Sequence, residues 1–436
     1  MFPDEASRSH ALFQQAQHVL PGGNTRTTVF LKPYPIYAAR GEGCRIWDVD
    51  GVERIDCINN FTAAIHGHAH PRLVEEAIDQ LRLGTAFGMP TSSEVELAQL
   101  LAERVASVEQ LRFSNSGTEA VMNALKAARA HTSRPAIAKC EGSYHGTYDF
   151  AEVSMDSSAA NWGNGAPRSV PFSRGTPQGV LDDVVVIPFN DVDGSAQILR
   201  ERGRELAAIL VDPMPNRAGL MPATPAYLAM LREVADEIGA VLVFDEVISF
   251  RLGHGGAQGL WGIEADLTCF GKIIGGGFAV GATGGRAEIM QVFDPTDGKP
   301  AVPQGGTFSA NPMTMRCGKV AMEMLDEAAF ARLDALGERA RAGIDAAFLD
   351  NGIEGQTTGL GSLLKLHFTA APITSYRNAQ PDTAAAARLA RLNVELLNRG
   401  VVMAGYGLMA LSTAMREDDI DAVISAVGAA LRAMKN

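Results

Sequence analysis

The chain has 436 residues, of which 46% are hydrophobic and 20% charged, and carries a formal net charge of −12. That length exceeds one simple core and implies two or three structural units, while the balance of apolar and charged residues excludes a disordered chain. The acidic surplus, with no Lys/Arg stripe to neutralise phosphates, excludes nucleic acid as a partner, and no apolar run approaches the roughly 18 residues of a membrane span.

Five widely spaced cysteines (Cys44, Cys57, Cys140, Cys269, Cys317) form no CxxC pair, which argues against a disulfide framework or zinc ribbon and fits a reducing compartment. The start, Met1-Phe2-Pro3-Asp4-Glu5, shows no basic region followed by an apolar stretch, so a soluble, untargeted, cytoplasmic chain is expected.

Apolar positions at helical spacing (Ala11, Leu12, Ala16, Val19, Leu20) predict a helix over residues 5–20, stopped by Pro21-Gly22-Gly23-Asn24. Residues 45–58 read as an antiparallel hairpin turned at Asp50-Gly51, part of a small N-terminal sheet. Further on, short apolar runs (136–139, 184–187, 207–211, 241–244 and 267–270) alternate with helical stretches, the rhythm of parallel strands joined by helical crossovers. A Gly/Pro/Ser-rich stretch, residues 161–179, interrupts that rhythm; loops of this length are usually functional lids or disordered. After residue 323 the pattern becomes helix (327–349), strand (362–368), helix (383–399), strand (408–412) and helix (418–434), an α+β unit expected to pack with the N-terminal segment. The expected partition is residues 1–60 as the N-terminal part of a small domain, 61–322 as a large domain that binds the cofactor, and 323–436 as the C-terminal part of the small domain.

Asp245 and Lys272 carry the most chemical information. Asp245 ends the apolar run Ala240-Val241-Leu242-Val243-Phe244, at the carboxyl end of an expected parallel strand, where open α/β sheets bind ligands. Lys272 lies between the expected strand at 267–271 and the bend Gly275-Gly276-Gly277, so its amine can reach the same crevice. Burial disfavours the charged form of a lysine and suits it to Schiff-base chemistry. A carboxylate opposite can keep a pyridine nitrogen protonated, making the ring an electron sink. The same pair also reads as a salt bridge, and Asp245 as a helix cap.

Ser116-Gly117-Thr118 opens a helix over residues 120–130 and offers backbone N–H groups, hydroxyls and the positive end of the helix dipole to a phosphate. An ordinary N-cap with Glu119 in the first turn uses the same residues. Tyr144-His145-Gly146 follows the strand ending at Lys139, where Tyr144 either stacks on a flat cofactor or joins the core. Thr307, in Gly305-Gly306-Thr307-Phe308-Ser309, offers a hydroxyl to a phosphate where glycines allow close approach, or marks a plain turn. Arg26 follows the Pro21-Gly22-Gly23 break, a place for a guanidinium fork to meet a substrate carboxylate, although most arginines are solvated surface residues. His66, His68 and His70 alternate as in a strand-like metal site, but Gly67 and Pro71 indicate a loop and no Cys or carboxylate cluster accompanies them, so no metal is expected.

These motifs resemble the class III (ω-type) aminotransferases of fold type I. The likeness is greatest to the branch containing glutamate-1-semialdehyde aminomutase and the β-phenylalanine (β-amino-acid) aminotransferases. It runs from about Pro21 to the C-terminus and is carried by five ordered blocks, residues 113–120, 141–146, 243–247, 266–277 and 305–312. The resemblance implies an α/β fold with a large domain on a seven-stranded mixed sheet and a small α+β domain built from both termini. It implies pyridoxal 5′-phosphate as cofactor, with Lys272 as its Schiff-base lysine and Asp245 on the pyridinium nitrogen. Ser116, Gly117 and Thr118 would take the phosphate, Tyr144 would stack on the ring, and His145 and Val247 would lie beside it. Thr307 would reach the phosphate of the neighbouring subunit in a homodimer with active sites at the subunit interface.

On the substrate side, Arg26 matches the first carboxylate-binding arginine of the β-phenylalanine enzymes, whereas Tyr406 stands where they have a second. Gly407 stands where the aminomutases have a glutamate. Asp212-Pro213 replaces the commoner Glu-Pro, and Arg217 matches a position near the cofactor, suited to anion recognition or to contact with the cofactor's phenolic oxygen. The implied activity is amino transfer between a carboxylate-bearing amino acid, including β-amino or aromatic ones, and a keto acid. Intramolecular transfer as in the aminomutases, amino-acid racemisation and an inactive cofactor-binding scaffold are the alternatives; Lys272, Asp245 and Thr307 together speak against the last.

Overall fold

The computed structural model describes residues 1–435 and divides them into two units. One spans Arg72–Phe330 with Ile373–Gln380; the other comprises Met1–Pro71, Ala331–Pro372 and the chain from Pro381 onward.

The first unit is built on seven strands: β1 (Gln110–Ser114), β2 (Ala136–Cys140), β3 (Val184–Ile187), β4 (Leu206–Val211), β5 (Val241–Asp245), β6 (Leu267–Gly271) and β7 (Gly281–Gly285). Their order across the sheet is β1-β7-β6-β5-β4-β2-β3. The five apolar runs of the sequence are the five strands β2 to β6, paired in parallel. They read as unbroken apolar stretches because both faces are covered. Ile137, Val186, Leu210 and Val243 share one core with Val121 and Leu125 of the helix Gly117–Thr132. Ala138, Ile209, Leu242 and Phe244 share the other with Leu228, Leu231 and Val234 of the helix Pro225–Ile238.

β7 runs antiparallel to both β1 and β6, which makes the sheet mixed. Sequence reading assigns no strand here, because in Gly-Ala-Thr-Gly-Gly only Thr283 is of a strand-favouring type and three of the five residues are glycine. Its glycines are required by close approach: a Cβ on Gly281 would stand 2.0 Å from the Ser116 carbonyl oxygen, and one on Gly285 2.1 Å from that of Asp266.

In the second unit the expected hairpin is formed by Arg45–Asp48 and Glu53–Asp56, with Ala38–Glu42 antiparallel to the former. Val401–Val402 pairs in parallel with Glu53–Asp56, so both termini build this sheet. A second sheet orders Gln356–Thr358, Leu363–His367 and Leu408–Ala410 antiparallel. The N-terminal helix is shorter than its periodicity suggests, Arg8–Ala16 capped by Ser7, and Val19 beyond it is exposed, so the apolar pattern there buries no face. All five cysteines are free and buried, and among the described residues no helix is long and apolar enough to cross a membrane.

Candidate active site

The carboxyl ends of the parallel strands deliver the chemistry. Asp245 is the last residue of β5 and Lys272 follows directly on β6. The buried Asp245 carboxylate accepts from His145 Nδ1 at 2.7 Å through Oδ2 and from the backbone N of Val247 at 3.0 Å through Oδ1. Its partner is therefore a histidine, and the plain salt bridge to Lys272 is not formed. Burial lowers the pKa of His145 against the opposing pull of Asp245, so the ring favours the neutral form with its proton on Nδ1. Its Nε2 is buried with no hydrogen-bond partner.

Lys272 is half-buried and holds φ of 50°, in the left-handed region that side chains avoid. Strain of this kind persists where the surroundings over-determine it, commonly at functional sites. Burial brings its amine down to about 8; Asp245 and then Asp212 oppose the shift, and Arg251 adds to it. Asp212, one residue beyond β4, is a further buried acid whose Oδ1 accepts from Met214 N at 2.9 Å. Burial first and the Asp245 charge second push its carboxyl well above the usual range. In sequence Asp212 stands out only as a departure from Glu-Pro.

The helix Gly117–Thr132 begins at an N-cap, Ser116, whose Oγ accepts from Glu119 N at 3.2 Å, so the residues expected to form a phosphate cup also cap the helix. A Cβ on Gly117 would lie 3.0 Å from Val247 Cγ2, and one on Gly146 2.4 Å from Thr118 Oγ1. The blocks around residues 117, 146 and 247 thus converge. Gln304 Nε2 donates to Phe113 O at 2.9 Å, bringing the loop of Thr307 to the end of β1, with the Thr307 side chain exposed. Tyr144 is 39% exposed, which removes the core alternative. Buried Lys139 shapes the turn beneath it by donating Nζ to Ser143 O at 3.0 Å and Val153 O at 2.7 Å.

The segment Tyr376-Arg377, which sequence reading does not single out, ties this turn to the loop at 161–179. Arg377 donates to the buried Glu141 carboxylate at 2.8 Å and to the carbonyls of Trp162 and Gly163 at 3.0 and 3.1 Å. Gly142, at φ 75°, has no room for a Cβ, which would fall 1.9 Å from the Tyr376 ring. Arg217 donates Nη2 to Asp156 Oδ1 at 2.9 Å, an ion pair open to solvent.

In the other unit, Arg26 is exposed, donates Nη1 to Asn60 Oδ1 at 2.7 Å and lies 5.1 Å from the Phe61 ring centroid. Lys365 Nζ lies 5.6 Å from the Tyr406 ring centroid. Gly407 has φ of 91°, and a Cβ there would meet the Leu366 carbonyl oxygen at 2.6 Å. Of the three alternating histidines, His68 bonds Asp56 at 2.7 Å and His66 bonds Thr413 at 2.9 Å. Among the described residues no group of three His, Cys, Asp or Glu side chains is placed to hold a metal ion.

A strained lysine, an acid oriented by a neutral histidine, an accessible aromatic face and a helix N-terminus make a donor set that fits a phosphorylated pyridine aldehyde. The family model of class-III aminotransferases matches residues 29–431. The chain belongs to this family. It is 41% identical over 433 residues, 98% of each chain, to the glutamate-1-semialdehyde 2,1-aminomutase of Desulforudis audaxviator. Among solved structures it is similar to an omega-transaminase from Sphaerobacter thermophilus, with TM-score 0.97, 51% identity and 99% of each chain covered. It is also similar to a beta-phenylalanine aminotransferase from Variovorax paradoxus, with TM-score 0.86 and 35% identity over 97% of this chain and 93% of that one. The protein is accordingly a class-III aminotransferase-type enzyme of fold type I that uses pyridoxal phosphate to act on small-molecule substrates, by aminotransferase or aminomutase-like chemistry.

Proposed function

We propose that this enzyme is an aminotransferase for carboxylate-bearing amino acids, β-amino or aromatic ones among them, acting as a cytoplasmic homodimer with its active sites at the subunit interface. Arg26 carries this reading: its exposed guanidinium is bonded to neutral groups, Asn60 and Phe61, and so keeps its charge for an anion. When bound, pyridoxal phosphate supplies an electron sink for the pair left by a departing substrate proton. In this reading Lys272 would hold the cofactor covalently and its amine would move a proton from the substrate carbon; an amine near pKa 8 suits both tasks. Asp245, oriented by His145 and by the backbone N of Val247, would hold the pyridine nitrogen protonated, with Val247 beside it. Ser116, Gly117 and Thr118 would hold the phosphate, Thr307 would reach the phosphate of the neighbouring subunit, and Tyr144 would cover the ring. Arg217 is a further anion-recognising group, since an exposed pair such as the one with Asp156 is worth little and exchanges readily. Tyr406 flanks the substrate.

Intramolecular transfer is the second reading, favoured by the aminomutase relative. Against it stands Gly407, whose backbone would strain any side chain at that position. A donor panel with pyruvate or 2-oxoglutarate tests both. In Arg26→Ala, carboxylate-bearing donors are expected to lose on the order of a hundredfold in kcat/KM relative to simple amines. Equal loss for both classes would refute the carboxylate role, and turnover of glutamate-1-semialdehyde without any keto acid would favour the aminomutase.

A further inference from the structure

The residues that meet Arg26 sit in an unusual piece of backbone. Asn59, Asn60, Phe61 and Thr62 have φ of 49, 49, 54 and 76°, four consecutive residues with side chains in the left-handed region. Such residues normally occur there singly. Here the surroundings enforce the turn. Asp56 Oδ1 accepts from the backbone N of Ile58 at 2.8 Å and of Asn59 at 3.0 Å. Asn59 Nδ2 donates to the carbonyls of Asp56 at 3.2 Å and Ala410 at 2.6 Å, and both Asn59 and Thr62 are fully buried.

The two residues between them are turned outward, and both engage Arg26: Asn60 as a hydrogen-bond acceptor, Phe61 as a ring face. Neither carries charge, and among the described residues Arg26 forms no ion pair. A carboxylate in place of Asn60 would also orient the guanidinium, but would neutralise it. A carboxamide and a ring fix its direction and leave its charge available.

We propose that Asn60, held in this left-handed turn, is a positioning residue that sets the preference for carboxylate-bearing donors by orienting Arg26 without neutralising it. The inference rests on the assignment of Arg26 to the substrate carboxylate, and the experiment separates the two. Arg26→Ala, Asn60→Gly and Asn60→Asp are compared as full-length, cofactor-loaded enzymes. Glycine tolerates positive φ and so keeps the turn while removing the acceptor. Aspartate also tolerates it and keeps the acceptor, but places a negative charge on Arg26.

Two quantities are read. One is the kcat/KM ratio for 3-amino-3-phenylpropanoate over 1-phenylethylamine, resolved into KM and kcat. The other is the calorimetric Kd of 3-phenylpropanoate, which lacks an amine and cannot react. The ratio is expected to fall about tenfold in Asn60→Gly, mainly through KM, and on the order of a hundredfold in Asn60→Asp, with Kd rising in parallel. An unchanged ratio and Kd in both Asn60 variants, alongside loss in Arg26→Ala, would overturn the proposal and leave the Arg26 assignment standing. No change in Arg26→Ala overturns both. Equal loss for the two donors in the Asn60 variants would mark a merely structural turn and also overturn the proposal.

Discussion

Lys272 joins a left-handed backbone to an amine that burial brings to about 8, and the sign of that shift makes a prediction. Below about pH 8 the ammonium dominates and cannot attack an aldehyde; above it the neutral amine does. Loading of pyridoxal phosphate into the apoprotein should therefore accelerate roughly tenfold per unit between pH 6 and 7 and level off above about 8. An ordinary lysine would keep accelerating toward pH 10. Stopped-flow absorbance after mixing measures this, and a rate still climbing tenfold per unit between pH 9 and 10 contradicts it. Asp245 and Asp212 pull the amine back toward the charged form, so burial dominates over two nearby carboxyl groups. Asp212 cannot exert its full charge, because burial and Asp245 raise its own pKa.

At the scale of elements, the glycine strand β7 is what lets the helix start at Ser116 approach the sheet. Gly281→Ala forces a Cβ to within 2.0 Å of the Ser116 carbonyl oxygen, and backbone on both sides leaves little freedom to yield. We expect a destabilisation of about 1–3 kcal/mol, the usual range for overpacking, together with faster loss of pyridoxal phosphate on dialysis. Wild-type melting and cofactor retention in this variant would show that the strand does not support the helix start at Ser116. The parallel strands and the helix at residues 117–132 are legible in sequence because each advertises its own burial and caps. β7 is not, since its residues are chosen for what they leave out. Arg377 escapes notice for another reason: it is one arginine in a polar stretch until the fold sets it against Glu141, 236 residues away.

At the scale of the whole molecule, large apolar side chains stand exposed on and after the helix Pro71–Leu83: Val74, Ile78, Leu81, Leu83, Phe87 and Met89. Neighbouring exposed apolar residues mark an interaction surface, and Phe308 beside Thr307 is exposed as well. The expected solution mass by light scattering is twice that of the chain. Leu81→Glu combined with Leu83→Glu should shift it toward the single-chain value and, if Thr307 has the role proposed for it, weaken cofactor retention. A wild-type mass equal to one chain would refute the dimer and the role of Thr307 across it.

The sequence by itself determined most of the elements, β7 excepted, and which reactive side chains stand at the strand ends. Asp245 after an apolar run, Lys272 before a glycine bend, and Ser116-Gly117-Thr118 before a helix are local patterns, and periodicity and capping are local properties. Only the tertiary structure decided partners. It joined His145 to Asp245 across 100 residues, set Asn60 against Arg26 across 34, and placed Asp212 beside Asp245. A sequence pattern reports how each residue relates to its own helix or strand, whereas a hydrogen bond or a shifted pKa depends on which distant segment the packing brings within a few ångströms.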